Sequence, residues 1–206
     1  MDGLPPNSVI YLPVLQAEIR AHWPQAPLPS TLAAQVEQET CYHLKHKKCW
    51  NPLAELKTDR EYGFGLGQLT VTKRFDNFAE AKKLHSTLAS WQWEDRYDPA
   101  RQLRTMVLMD KAAWLRLSFV DNEKERLAMT FSAYNGGLGG VLQDRKLCAS
   151  VSGCNPNLWF GHVAEYSFKK KTKTSGYGQS FYDINREYVI NVLTKRREKY
   201  AAYFGG

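Results

Sequence analysis

The sequence predicts an α+β fold, mostly α, with one small β-hairpin beside a cleft. Three observations carry that expectation. Several segments repeat apolar residues at helical spacing. One segment, residues 62–72, alternates glycine with other residues at strand period. Stop and cap signals fall between them, above all Asp98-Pro99 and Asn135-Gly136-Gly137. At 206 residues the chain is expected to be one domain, with 168–206 a basic connector and a helix packed on it. The composition, 43% hydrophobic and 24% charged, is that of a globular protein, and no apolar run nears the ~20 residues of a membrane span.

Taken in order, residues 8–21 are apolar and broken by Pro13, and Pro24, Pro27 and Pro29 make the link that follows. Ser30 is placed to cap a helix over 31–42. Gly63, Gly65 and Gly67 mark the short strand or hairpin. A helix is expected over 76–89. Asp98-Pro99 then opens a long one with Leu103, Met106, Val107, Trp114 and Leu117 at core spacing. Another spans 122–134. The loop 147–157 holds two cysteines, and 169–178 is a basic, turn-rich connector. A last helix, 184–204, puts Ile184, Tyr188 and Val192 on one face.

The net charge is +7, and residues 168–206 hold nine cations against three anions. That bias suits an anionic partner (nucleic acid, a phospholipid or lipopolysaccharide surface, or an acidic wall), or else a solvated basic face. Residues 1–6 lack the basic start and apolar run of a secretory signal, so synthesis in the cytoplasm is expected. Cys41 with Cys49, and Cys148 with Cys154, can each close a short disulfide loop in an oxidising compartment or stay as thiols in a reducing one. Cys41, His43, His46 and Cys49 are also four potential metal ligands within nine residues. Their spacing is far tighter than in zinc fingers, so a disulfide is preferred and no metal is expected. His22, His85 and His162 are isolated and read as ordinary packed or surface histidines.

At about 100° per residue, Leu32, Val36 and Glu39 share one helix face and Glu37 points nearly the other way. Glu39 is then a carboxyl on the apolar stripe, near the negative end of its helix. Desolvation and the helix dipole both disfavour the anion there, which suits a general acid. The structural alternative is a buried glutamate paired with Lys45, Lys47 or Lys48. In the hairpin, alternation puts Gly63, Gly65 and Gly67 on one face and Tyr62, Phe64, Leu66 and Gln68 on the other. Asp59 and Glu61 share the glycines' parity. A glycine face admits a ligand or packs tightly on a helix. No Gly-Lys-Ser/Thr follows, so it is not a phosphate loop, and the spacing does not fit a dinucleotide fingerprint. At the end of a later helix, Tyr134 and Asn135 offer groups suited to a sugar hydroxyl or acetamide, or an ordinary helix stop.

In this order, Gln38-Glu39-Thr40, Cys49-Trp50-Asn51-Pro52-Leu53-Ala54, Gly63-Phe64-Gly65-Leu66-Gly67-Gln68 and Ala133-Tyr134-Asn135-Gly136-Gly137 resemble the lysozyme-like glycosidases. The likeness is nearest to soluble lytic transglycosylases and goose-type lysozymes, and within them to a group of phage endolysins. It covers residues 38–137, about half the chain. Trp159-Phe160-Gly161-His162 and Ile184-Asn185-Arg186-Glu187-Tyr188-Val189 resemble the endolysins specifically. The resemblance implies a lysozyme-like domain that cleaves the β-1,4 bond between N-acetylmuramic acid and N-acetylglucosamine. It makes Glu39 the acid/base and Gln68 a brace, with Tyr134, Asn135, Tyr62 and Thr70 in the substrate cleft. Thr40 stands where Ser is usual, and Gly67 where Met is usual. The stretch 41–49 is an insert. Asp59-Arg60 matches an Asp-Arg pair of the goose-type enzymes, whereas Thr70 replaces an acidic residue.

Protonated Glu39 would donate to the glycosidic oxygen as an oxocarbenium-like centre develops. With Glu61 or Asp59 holding a water on the opposite sugar face, the product is hydrolysed with inversion. With neither, the muramyl hydroxyl attacks internally and leaves a 1,6-anhydro end. Hydrolysis with Glu61 as helper is the reading preferred at this stage, because Glu61 is nearest the glycine face. The expected partners are peptidoglycan strands and, through the basic C-terminus, an anionic outer-membrane or wall surface. Neither nucleic acid nor a cofactor is expected, and the chain should act as a monomer in the periplasm after release. The rival is a non-catalytic basic protein that binds wall or nucleic acid, for which no nucleic-acid motif speaks.

Overall fold

The structure is a computed structural model that describes residues 3–169, 171–173 and 177–206. Lys170, Thr174, Ser175 and Gly176 of the expected basic connector, and Met1 and Asp2, lie outside the described residues. The fold is α+β and mostly helical, with one antiparallel three-stranded sheet. In chain order come α1 (Ser8–His22), α2 (Ser30–Thr40), β1 (Glu55–Lys57), β2 (Glu61–Phe64), β3 (Leu69–Thr72) and α3 (Asn77–Ala81). Then follow α4 (Pro99–Arg116), α5 (Glu123–Gly136), α6 (Leu138–Ala149), α7 (Phe181–Ile190), a π-helical turn (Asn191–Lys195) and α8 (Glu198–Ala201). Among the described residues no helix is long and apolar enough to cross a membrane.

The chain divides into two compact units, Met1–Met109 with Arg196–Gly206, and Asp110–Lys195. The first holds α1, α2, the sheet, α3 and α8. Pro13 does not break α1. The N–H it lacks would have bonded the carbonyl of Val9, whose residue is 55% exposed, so water can take that place. Helix α2 is buried almost all round from Ser30 to Glu37. Ala33 and Ala34 are small enough to let neighbours close in on two sides. Ser30 does not cap it; Pro29 precedes the helix without a side-chain cap, and Ser30 Oγ accepts from Arg197 Nη1 at 3.3 Å.

The sheet pairs in the order β1-β2-β3, so the expected hairpin gains a strand in front of it. Its register sets Glu61 against Thr72 and Gly63 against Thr70, and Tyr62 against both Lys57 and Val71. Behind it, Phe64, Leu69, Phe78, Ala81, Leu88 and Trp91 form a buried cluster. The helix expected over 76–89 ends early. Asp76 caps it by accepting from Ala79 N at 2.9 Å, but His85 Nδ1 then accepts from Thr87 N and starts a separate turn. His22 and His85 are not isolated, since their rings meet edge-on at 4.7 Å.

In the second unit, Asn122 caps α5 by accepting from Glu125 N at 3.1 Å. Helix α6 follows directly, with only Gly137, at φ +89°, between them. Helix α6 has no counterpart among the helices that the sequence predicts, because Gly139 and Gly140 weaken the helical signal. Cys148 therefore sits on a helix and joins Cys154, and Cys41 joins Cys49 in the first unit. The expected helix over 184–204 is four pieces instead of one, the last a 3-10 turn over Ala202–Phe204. Trp114, expected in the core, is half-buried, with Arg126 stacked 3.9 Å over its ring. Arg186 organises this unit. It pairs with Asp144 at 3.0 Å, donates to the carbonyls of Ala164 and Tyr166, and stacks over Trp159 at 4.7 Å.

Candidate active site

Glu39 lies in the last turn of α2 and is half-buried. The far side of α2, towards which Glu37 points, does not meet water. Glu37 is fully buried there and accepts from Arg196 Nη1 at 2.8 Å, from Lys199 Nζ at 2.7 and 2.8 Å, and from the Tyr200 hydroxyl at 2.6 Å. Arg196 Nε also donates to Gln38 Oε1 at 2.7 Å, and Trp50 Nε1 donates to the Tyr200 hydroxyl at 3.0 Å. Glu37 is thus the anion of a buried charge cluster, and the residues flanking Glu39 are held from behind by the C-terminal segment. Burial, first, and then the carboxylate beside it push the Tyr200 phenol well up from its ordinary value.

The end of α2 is tied to the hairpin through a short chain of bonds. Trp50 N donates to Thr40 Oγ1 at 2.9 Å, and Trp50 takes a left-handed φ of +51°. The turn that follows returns Ala54 N to the Asn51 carbonyl. The Ala54 carbonyl then accepts from both Gly65 N, at 2.8 Å, and Gln68 Nε2, at 3.0 Å. Gln68 Nε2 also donates to the Gly65 carbonyl at 2.8 Å, and Gln68 itself has φ +46°. A non-glycine residue in that region costs about 1 kcal/mol or more, and here the side-chain bonds offset it.

Strict alternation placed Gln68 opposite the glycines, and this is corrected. The turn after Phe64 folds Gln68 back, so a Cβ on Gly63 would sit 3.1 Å from its Oε1 and 3.6 Å from Thr70 Oγ1. Glu61, Gly63, Thr70 and Thr72 share this face by register. Glu61 is half-buried, while Asp59 is exposed at the tip of the β1–β2 turn. Tyr62 lies on the other face. Gln102 is a residue that sequence reasoning missed. Its amide accepts from Leu66 N at 2.9 Å and donates to the carbonyls of Pro52 and Arg96. A Cβ on Gly65 would come within 2.4 Å of it, so only glycine fits that turn. The available signal was a glutamine beside Leu103 on the core stripe of α4.

On Tyr62's face is an open recess of about 470 Å³, lined by Glu55, Tyr62, Trp93, Arg96 and Tyr97 among others. The hydroxyls of Tyr97 and Tyr62 donate to Glu55 Oε1 and, with Arg96 nearby, hold that carboxyl below its usual range. Arg96 stacks on both Trp93 and Tyr97 at 4.5 Å. A depressed folded pKa adds stability above the unfolded carboxylate value, ~4.3, and that stability is lost as pH falls through the folded value. Glu55→Gln should therefore lower Tm at pH 7, with a gap to the parent that narrows as pH falls below the unfolded carboxylate value. A gap that widened on acidification would contradict the assignment.

Tyr134 and Asn135 belong to the second unit. Tyr134 is half-buried; Asn135 is exposed, and its Oδ1 accepts from Asn185 Nδ2 at 3.0 Å. Asn185 is fixed in turn by Ser132, whose hydroxyl donates to Asn185 Oδ1 at 2.8 Å and whose carbonyl accepts from Nδ2 at 3.1 Å. In the insert, both sulfurs of Cys41 and Cys49 are consumed by their disulfide, so they offer no metal ligands. Among the described residues no group of three or more acidic, histidine or cysteine side chains is placed to hold a metal ion.

The first unit thus presents one half-buried carboxyl from a clamped helix end and another from a glycine-faced strand. No family model matches the chain. It is 28% identical, over 110 residues or 52% of its length, to the membrane-bound lytic murein transglycosylase F of Alteromonas mediterranea. The chain spans about a quarter of that relative, 24% of its length. The similarity supports a relationship to the lytic transglycosylases and the lysozyme-like proteins around them.

Proposed function

We propose that this protein degrades peptidoglycan by cleaving the β-1,4 bond between N-acetylmuramic acid and N-acetylglucosamine, with Glu39 as the general acid. The observation that carries the proposal is the setting of Glu39, a half-buried carboxyl in the last turn of a helix braced at Glu37 and Thr40. A general acid must hold its proton within reach of the leaving oxygen, and a fixed helix end keeps it there. The likeness to a lytic murein transglycosylase supports peptidoglycan as the substrate. The finer reading is a phage endolysin, made in the cytoplasm of the host and acting on the wall after release. Purified protein should then clear a suspension of peptidoglycan, and an unchanged suspension would count against the proposal.

The relative favours a second reading of the same site, internal attack by the muramyl hydroxyl instead of water. The two outcomes differ in their need for a second carboxylate. Glu61 shares its face with Gly63, whereas Asp59 is exposed at the turn. If water is the nucleophile, Glu61→Gln should slow cleavage by about 10²-fold or more, and Asp59→Asn by much less. If both variants stay fully active and the products carry 1,6-anhydro ends, the transglycosylase route holds. Reducing ends together with an inactive Glu61→Gln would establish hydrolysis.

A further inference from the structure

We propose that the disulfide-closed loop between Cys41 and Cys49 is a docking surface for the anionic stem peptides of peptidoglycan, holding them beside the bond that Glu39 cleaves. The proposal rests on the cleavage reading above. Its physical basis is a set of charges that nothing else in the fold uses. Residues 40–54 contain three lysines and two histidines and no carboxylate. Lys45, Lys47 and Lys48 are all exposed. Among the described residues none of them pairs with a carboxylate. Lys48 Nζ donates to the main-chain carbonyl of Glu55 at 2.7 Å, which fixes the amine without cancelling its charge. The contrast is with three of the C-terminal cations, Arg186, Arg196 and Lys199, which are already matched to Asp144 and Glu37.

The loop is built to hold its charges still. The disulfide keeps the Cα atoms of Cys41 and Cys49 4.1 Å apart. Within it, His46 N donates to the His43 carbonyl at 3.0 Å, Cys49 N to the His46 carbonyl at 2.9 Å, and Lys48 N to His46 Nδ1 at 3.1 Å. A loop so closed loses less entropy on binding than a free one. Next to Cys41, Tyr42 is 90% exposed, and its ring meets those of His43 and His46 edge-on at 6.0 and 6.2 Å. An exposed aromatic ring in the same loop as three ammonium groups offers a flat face together with point charges, which suits a polymer of sugars and acidic peptides.

Position selects this partner. Cys41 is two residues beyond Glu39, so their Cα atoms are at most about 7 Å apart. The disulfide returns the far end of the loop to the same place. Along a peptidoglycan strand each muramyl residue carries both the bond to be cut and a stem peptide bearing carboxylates. A carboxyl acid two residues from a closed, lysine-bearing loop matches that pairing.

The test measures binding in a Glu39→Gln background, where no strand is cut, by sedimentation at low and high salt. The ligands are intact sacculi, sacculi stripped of stem peptides by an amidase, and vesicles rich in anionic lipid. Lys45→Gln/Lys47→Gln removes two screened surface charges, each worth roughly a factor of two to three. About fivefold weaker binding to intact sacculi at low salt is expected, with no change on stripped glycan. Lys45→Arg/Lys47→Arg should bind like the parent. Equal binding of the Gln variant and the parent to intact sacculi would overturn the proposal, as would an equal loss on stripped glycan. A larger loss on vesicles than on sacculi would also overturn it, in favour of a bilayer. Because binding is read without turnover, a parent that released no muropeptides would defeat the cleavage reading and leave this result standing by itself.

Discussion

Glu39→Gln should lose peptidoglycan clearing by roughly 10³-fold while keeping the parent's Tm. The substitution preserves the shape of the side chain and removes its titrating proton. General acid catalysis of this kind contributes about 10²–10⁴ in rate, which sets the expected size. Little stability should go with it, because the residue is half-exposed at a helix end that Glu37, Gln38 and Thr40 already tie in place. Glu123, exposed at the start of α5, is the suitable control, and Glu123→Gln should be silent. A Glu39→Gln variant that retained a tenth of the parent's rate would remove the residue from the mechanism.

Glu37→Gln has the opposite profile: stability should fall first, and activity with it. The carboxylate is fully buried and receives two cations and a phenol. Removing one member of a buried ion cluster costs about 3–5 kcal/mol where every partner is buried. Arg196 and Lys199 retain 24% and 23% side-chain exposure, so water recovers part of that and about 3 kcal/mol is expected. For a chain of this size that is a Tm lower by roughly 6–12 °C. Neutralising Arg196 and Lys199 with Gln should lower Tm in the same direction. A solvated basic face would leave Tm unchanged, and so would a Glu37 that pointed at water. Calorimetry on the three proteins decides between these pictures.

The contrast between the two glutamates marks how far the sequence carries. Helix α2, the start of α4 at Pro99, the helix α5 and the strand through Gly63 were legible, because each depends on neighbours within a few residues. The burial of Glu37 was not, since its partners lie about 160 positions away in the chain and spacing within a helix reports nothing about them. The face on which Gln68 lies escaped for a related reason. Period-two alternation holds only while the chain stays extended, and Gly65 at φ +79° ends the strand before Gln68 is reached. The recess of Glu55, Tyr62, Arg96 and Tyr97 joins β1 and β2 to the approach of α4, and no motif spans that distance. That Arg186, Arg196 and Lys199 of the basic C-terminus pair with buried carboxylates was not legible either, because a sequence count cannot tell a solvated cation from one that caps a buried anion.

Mass spectrometry of the soluble fragments released from purified sacculi by the parent and by Glu39→Gln shows whether Glu39 cuts glycan. The parent should release muropeptides in which the glycan is cut on the muramic acid side, ending in reducing or 1,6-anhydro N-acetylmuramic acid, with their stem peptides intact. Glu39→Gln should release none above background. Fragments with uncut glycan and severed stem peptides, or the same muropeptides from both proteins, would contradict that role.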